Sequence, residues 1–204
     1  MIMTEQGKFL PIMETFISLQ GEGYHTGTPS FFIRIGGCDV GCHWCDVKES
    51  WNPELHPLKN VDQIIQSIPT YIRTVIITGG EPLLYDLHYL TNRLKQNKFQ
   101  IHLETSGSSK LTGTFDWICL SPKKNLPPLP EIYPLADELK IIIFNKKDFE
   151  FAEQEALKVR KNIPLYLQPE WSRREKILSQ ITDYIIRHPH WRLSIQTHKY
   201  LGLP

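Results

Sequence analysis

Apolar residues along this chain come in short runs, each closed by small or polar residues. Phe31-Phe-Ile-Arg-Ile35 alternates so that Phe31, Ile33 and Ile35 share one face and Phe32 and Arg34 the other, which is the period of a strand. Thr74 to Thr78 is a continuous apolar run, the pattern of a strand buried on both faces of a parallel sheet. Further strands are expected at Gln100–Glu104, Phe115–Leu120, Glu138–Phe144, Leu165–Leu167 and Arg192–Gln196. Helical spacing lies between them. Asn60 and Gln63 fit a capping box opening a short helix through Ile68, and Leu83, Leu87, Leu90 and Leu94 form one core-facing stripe. A helix is expected over residues 148–161, and another behind a Ser172/Glu175 capping box, lined by Ile177, Ile181 and Tyr184. Residues 1–30 read as loop-rich, and Trp51–Lys59 as proline-punctuated and irregular.

Strands alternating with helices imply an α/β fold with a parallel sheet and right-handed crossovers. Two links, Ser108–Gly113 and Lys123–Pro134, are too short or too rich in proline to hold a full helix. A complete eight-fold barrel takes about 250 residues, so a chain of 204 residues with missing helices predicts an incomplete, modified (β/α) barrel. No repeat or linker divides it, and residues 1–204 are expected to form one domain.

The polar punctuation falls at the C-terminal ends of these strands: a cysteine loop, Gly79-Gly-Glu-Pro82, Glu104-Thr-Ser-Gly107, Ser121-Pro-Lys123 and Gln168-Pro169. In parallel α/β folds that rim is where active sites are built. The cysteine loop carries the sharpest chemistry. Cys38, Cys42 and Cys45 stand at C-x3-C-x2-C spacing after Gly36-Gly37, a backbone able to turn three thiols on one centre. Three thiolates leave a closed zinc or iron–sulfur site one ligand short. The fourth cysteine, Cys119, lies in the apolar run Trp117-Ile-Cys-Leu120 and reads as buried packing. The alternative is a non-catalytic metal module completed by His43 or Cys119. Arg34 is costly to bury alone in so apolar a strand, so it either pairs with a protein carboxylate or faces a cavity where an anionic ligand completes it.

Composition narrows the partners. Hydrophobic content of 41%, charged content of 22% and a net charge of +1 are ordinary for a globular domain and argue against nucleic acid or a membrane surface as partner. No apolar run reaches a membrane span, Met1–Gln6 has no signal-peptide pattern, and crowding three cysteines into one loop suggests a reducing, cytoplasmic setting.

With these motifs assembled, the chain resembles the radical S-adenosylmethionine (SAM) superfamily. Within it, Phe16-Ile-Ser-Leu-Gln-Gly-Glu-Gly23, Phe32-Ile-Arg-Ile-Gly-Gly-Cys38, Cys42-His-Trp-Cys-Asp46, the strand-end motifs and the terminal Gln196-Thr-His-Lys-Tyr-Leu-Gly-Leu-Pro204 are similar to the 7-carboxy-7-deazaguanine synthase family. The resemblance implies a [4Fe-4S] cluster on Cys38, Cys42 and Cys45, with SAM chelating the open iron and cleaved by one electron to a 5′-deoxyadenosyl radical. It implies a lyase that contracts the ring of 6-carboxy-5,6,7,8-tetrahydropterin with release of ammonia, in queuosine biosynthesis. It further implies an external electron donor of flavodoxin or ferredoxin type, and a homodimer. By the same resemblance SAM contacts fall on Trp44, Cys45, Asp46, Gly80, Glu104, Ser106, Ser121, Pro122, Lys123, Gln168, Pro169, Glu170 and Trp171. Substrate positions fall on Leu19, Gln20, Gly21, Arg34, Thr78 and Pro204.

One position departs from the family pattern. A hydroxyl residue usually follows the Cys-Asp pair and helps hold magnesium at the substrate carboxylate; here Val47 stands there, with no side-chain oxygen. Either Asp46, substrate and water hold the ion, or the metal dependence is weaker or different. Magnesium is expected to stimulate turnover less than in relatives with threonine at this position; a strict, saturable magnesium requirement in the purified enzyme would overturn that expectation.

Overall fold

The computed structural model describes residues 7–204, so the reading of Met1–Gln6 lies outside the described residues. Among the described residues nine strands form one open mixed sheet in the order β3-β1-β2-β4-β5-β6-β7-β8-β9. From β2 (Pro29–Ile35) through β4 (Thr74–Gly79), β5 (Gln100–Thr105), β6 (Trp117–Leu120), β7 (Glu138–Ile143) and β8 (Leu165–Pro169) to β9 (Trp191–Leu193), neighbouring strands are parallel. β1 (Phe9–Leu19) joins the β2 edge antiparallel, and β3 (Leu58–Asn60) pairs antiparallel with β1. The sheet stays unclosed, the incomplete barrel expected.

Helices α1 (Val61–Gln66), α2 (His88–Gln96), α3 (Lys147–Ala156) and α4 (Arg174–Arg187) cover the outer face. The β5–β6 link carries no helix, and the β6–β7 link only a short 3-10 turn at Tyr133–Leu135, as their composition predicted. Two apolar clusters fill the space between sheet and helices. One joins β1, β2, β4 and β5 to α1 and α2 through residues such as Ile33, Ile77, Leu90 and Leu94; the other joins β6, β7 and β8 to α3 and α4 around Leu139, Ile141, Ile181 and Trp191.

Several local expectations are corrected. The loop-rich start contains the longest strand, β1. Pro11 and Glu14 interrupt its alternation, and a register irregularity between Ile12 and Glu14 swaps its faces, so no period-2 signal survives. β3 begins inside the stretch read as irregular and runs through Asn60. Leu83 sits in a 3-10 turn (Pro82–Leu84) and Leu87 caps α2, yet both stay buried with Leu90 and Leu94. The 148–161 helix is shorter, ending at Ala156. Ser172 and Glu175 form no capping box: Glu170 instead accepts from the Ser172 and Arg173 amides and caps a 3-10 turn (Trp171–Arg173) ahead of α4. At α1, Asn60 Oδ1 accepts from the Asp62 and Gln63 amides. The last strand stops at Leu193, and the tail forms a short helix, α5 (Thr197–Leu201).

Leu94 is fully buried between α2 and the sheet. Leu94→Ala should lower unfolding stability by about 2–5 kcal/mol through lost transfer energy and a cavity, measured by anaerobic denaturant titration; a loss well under that range would show that the first cluster collapses around the gap.

Candidate active site

The strand ends enclose one cavity of about 460 Å³. All the site residues expected from the sequence line it except Pro122, which lines a smaller neighbouring pocket of about 130 Å³ beside Cys42, Trp44 and Lys123. Parallel register explains the convergence. Arg34 on β2 lies level with Thr78 on β4, and the row Glu104, Cys119, Glu138 runs level across β5, β6 and β7.

The cysteine loop is fastened to the scaffold by its backbone. The Gly37 amide donates to Ser50 O (2.6 Å), the Cys38 amide to Trp51 O (3.1 Å), and the Cys45 amide to Cys42 O (3.0 Å). Gly80 presses against this loop from β4: a Cβ there would stand 2.2 Å from Gly37 O and 2.8 Å from Cys38 Cβ. Next to it, the buried Glu81 carboxylate accepts from the Leu83 amide (3.0 Å), Thr105 Oγ1 (2.6 Å), the Ser106 amide (2.8 Å) and Ser106 Oγ (2.5 Å). One side chain thereby ties the Gly-Gly-Glu-Pro turn to the Glu-Thr-Ser-Gly turn.

Cys38, Cys42 and Cys45 all face the cavity. Burial raises the Cys38 and Cys42 thiol pKa values, and the neighbouring thiols add to the rise. That crowding of soft donors on an open chamber fits a cluster held by three thiolates with room beside it for a cofactor. Lys123, half-buried with its ammonium 5.9 Å from the centre of the Trp44 ring, donates to Ser121 Oγ (2.8 Å) and to Ser121 O; desolvation lowers its pKa. The alternative fourth ligands stay outside the cavity. His43 is exposed, edge-on to Phe144 at 5.1 Å, and the buried Cys119 thiol lies among the Glu104 and Glu138 carboxylates.

Other expected residues carry structural duties as well. The Glu170 carboxylate is engaged in its cap, and Gln168 Oε1 accepts from Ser194 Oγ (2.7 Å). Gly21 O receives the Thr197 amide and Thr197 Oγ1, both at 3.0 Å, and His198 packs directly over Gly21. Pro204 O accepts from Ser18 Oγ (3.1 Å), so the tail folds back over the cavity mouth. Arg34 meets both readings: its Nε donates to Glu14 Oε1 (2.6 Å), while the side chain, 19% exposed, lines the cavity.

The sequence reading missed the polar floor. Lys140 Nζ bridges Glu22 Oε2 (2.6 Å) and Glu104 Oε2 (2.8 Å), Gln20 Nε2 donates to Glu104 Oε1 (3.0 Å), and Gln196 Nε2 donates to Glu22 Oε1 (2.8 Å). Burial opposes the Lys140 charge, but the acidic groups around it, Cys119, Glu104, Glu22 and Glu138, hold its pKa well above that of free lysine. Burial likewise works against ionised Glu22; the Lys140 ammonium, with Gln196 and His198, overcomes it and brings the pKa down to about 2. The signal was available. A lone lysine within Glu138-Leu-Lys-Ile-Ile-Ile-Phe144 demands a partner for the same reason Arg34 does.

The radical SAM superfamily model matches residues 32–112. The 7-carboxy-7-deazaguanine synthase of Flavobacterium psychrophilum is 57% identical over 203 residues, covering 100% of this chain and 97% of the relative. That of Synechocystis sp. is 54% identical, covering 95% and 93%. This chain belongs to the 7-carboxy-7-deazaguanine synthase family. Among solved structures, QueE from Escherichia coli superimposes with a TM-score of 0.81 at 32% identity, covering 93% of this chain and 95% of that one. The family brings with it a [4Fe-4S] cluster, SAM and the need for a reductant. No helix of the described residues is long and apolar enough to cross a membrane.

Because Glu22 has a depressed pKa, its stabilising contribution is complete above the ordinary value of 4.5 and is lost as pH falls toward about 2. Lys140→Met should reverse this. It leaves the half-buried Glu22 and Glu104 carboxylates without their cation and costs up to about 3–5 kcal/mol near neutral pH, and the deficit should shrink near about pH 5 as protonation relieves the charge. Urea denaturation at the two pH values distinguishes this from packing loss, which would give equal deficits.

Proposed function

We propose that this chain converts 6-carboxy-5,6,7,8-tetrahydropterin to 7-carboxy-7-deazaguanine with loss of ammonia, as a single radical SAM domain spanning residues 1–204. The observation carrying this reading is the convergence of the cysteine loop, the strand-end motifs and the C-terminal tail on one cavity. When bound, the cluster and SAM supply one-electron reductive cleavage to a 5′-deoxyadenosyl radical.

The residues divide the remaining work. Cys38, Cys42 and Cys45 hold the cluster. Gly80 lets the turn after β4 close against the cysteine loop, where any side chain would strike Gly37, and its backbone joins Trp44, Cys45, Asp46, Ser106, Ser121, Lys123 and the Gln168–Trp171 segment in walling the SAM site. Pro122, in the adjoining pocket, shapes the Ser121–Lys123 turn from behind. Leu19, Gln20, Gly21, Thr78 and the Pro204 tail enclose the pterin. Arg34 offers its terminal guanidinium nitrogens to the substrate carboxylate while Glu14 fixes its Nε. Glu104, its two carboxylate oxygens held by Gln20 and Lys140, stands with the SAM contacts. The tail, held at Pro204 by Ser18 Oγ, forms one side of the chamber.

An electron donor of flavodoxin or ferredoxin type, a homodimeric assembly and a cytoplasmic setting complete this reading, the last supported by the unpaired loop cysteines. Magnesium stands apart: Val47 offers no side-chain oxygen, and its carbonyl already receives the Ser50 hydroxyl (2.7 Å) and amide (3.1 Å).

Anaerobically reconstituted enzyme given carboxytetrahydropterin, SAM and a strong reductant should form the deazaguanine. Cys42→Ala should lose both the cluster spectrum and the product; product from that variant, or none from the wild type with an intact SAM-responsive cluster, would overturn the reading.

A further inference from the structure

The cysteine loop meets the surface at a second place. Cys42, Trp44, Lys123 and Ile142 line both the main cavity and the smaller pocket of about 130 Å³ beside it, so a single layer of side chains divides the two. The tail lies elsewhere, over the cavity mouth, and none of its residues lines this pocket. Around the pocket the surface has an aromatic centre. Phe144 is half-buried, with the exposed His43 ring 5.1 Å away and the Arg173 guanidinium 5.2 Å away. Asn125 Nδ2 donates to Gly41 O (3.0 Å) and holds the β6–β7 link against the cysteine loop.

The edge of this face is basic. Its pocket has one carboxylate, Asp148, which is buried and already engaged by the Phe144 and Asn145 amides (both 2.8 Å) and by Lys124 Nζ. Just beyond Asn145, Lys146 and Lys147 are exposed. Among the described residues neither they nor Arg173 forms an ion pair, and Arg173 Nε is buried without an acceptor. The two lysines also stand where a helix disfavours them. They are the N-cap and first residue of α3, the end at which the helix dipole favours negative charge. Asp148 and Glu150 in the first turn suit that dipole; Lys146 and Lys147 oppose it, and no protein carboxylate offsets the cost. A local rule broken without a structural gain points to a partner outside the chain.

We propose that this face, with His43 and Phe144 at its centre and Lys146, Lys147 and Arg173 around it, is where an acidic one-electron carrier protein docks to reduce the cluster. This rests on the cluster held by Cys38, Cys42 and Cys45 in the reading above, and it gives the carrier a surface chemistry and a place. One electron leaves the carrier and enters the cluster; the carrier is oxidised by one electron, and no covalent bond or proton moves in that step. Unpaired positive charge beside Cys42 speeds encounter with an acidic partner and orients it toward the thiolates. The aromatic centre supplies the apolar contact that a charged rim alone lacks.

The test uses anaerobically reconstituted holoenzyme and two readouts that need no pterin. One is the affinity for an oxidised acidic flavodoxin or an oxidised acidic ferredoxin. The other is the rate at which each reduced carrier produces the EPR signal of the reduced cluster. Affinity and rate should fall as ionic strength rises. The double variant Lys146→Glu/Lys147→Glu should lose about tenfold or more in both, while its reduction by dithionite stays within about twofold of wild type. Lys161→Glu, an exposed position beyond the far end of α3, should behave as wild type. Unchanged carrier affinity and rate in the double variant, an equal loss in Lys161→Glu, or equal slowing with dithionite would overturn the proposal. So would a wild-type cluster that dithionite reduces and neither carrier does. Failure of the substrate reading is distinguishable: the carrier reduces the wild-type cluster, yet carboxytetrahydropterin with SAM gives no deazaguanine.

Discussion

Close approach of two strand ends is the constraint on which this site depends. The turn after β4 must lie against the cysteine loop after β2, and at Gly80 the separation leaves no space for a β-carbon. Glu81 then secures the turn from the other side, its carboxylate saturated by four donors from its own turn and from the end of β5. A buried carboxylate so fully bonded is stable as an acceptor and rigid as a joint. Cys38, Gly80 and Ser106 therefore belong to one braced unit, and a radical chemistry that must exclude water starts from a frame with little slack.

A second joint holds the opposite wall. Lys140 is buried in the floor and would be untenable there without Glu22 and Glu104, whose carboxylates are equally dependent on it. Glu22 comes from the loop after β1, Glu104 from β5 and Lys140 from β7, so the two bridges tie the β1 loop and β5 to β7 across the inside of the sheet. Hydrogen bonding through Gln196 extends the network to Asp46 and the tail helix. The missing barrel strands are thus replaced, at the level of the cavity, by charge pairing and by a C-terminal segment folded across the opening.

Much of this was legible beforehand. β4 was readable as a continuous apolar run, β5, β7 and β8 as short apolar-rich runs closed by polar strand-end motifs, and the alternation in β2 correctly set Arg34 and Phe32 apart from Phe31, Ile33 and Ile35. β1 was not, since Pro11, Glu14 and its irregular register remove the period that reading relies on. Lys140 could be flagged from its apolar strand as needing a partner, but its partners could not be named there: only the strand order that sets β5, β6 and β7 side by side brings Glu104 to it.

The sequence alone determined the chemistry: cysteine spacing, glycine pairs and strand-end motifs are local, and local spacing suffices to specify a three-thiolate site on a parallel α/β rim. The tertiary structure decided which charges meet. Glu14 with Arg34, Lys140 with Glu104 and Asp46 with Lys199 lie 20, 36 and 153 positions apart. Pairing at such separations is set by strand order and by where the tail packs, and the burial that makes each pair consequential exists only once the chain has folded.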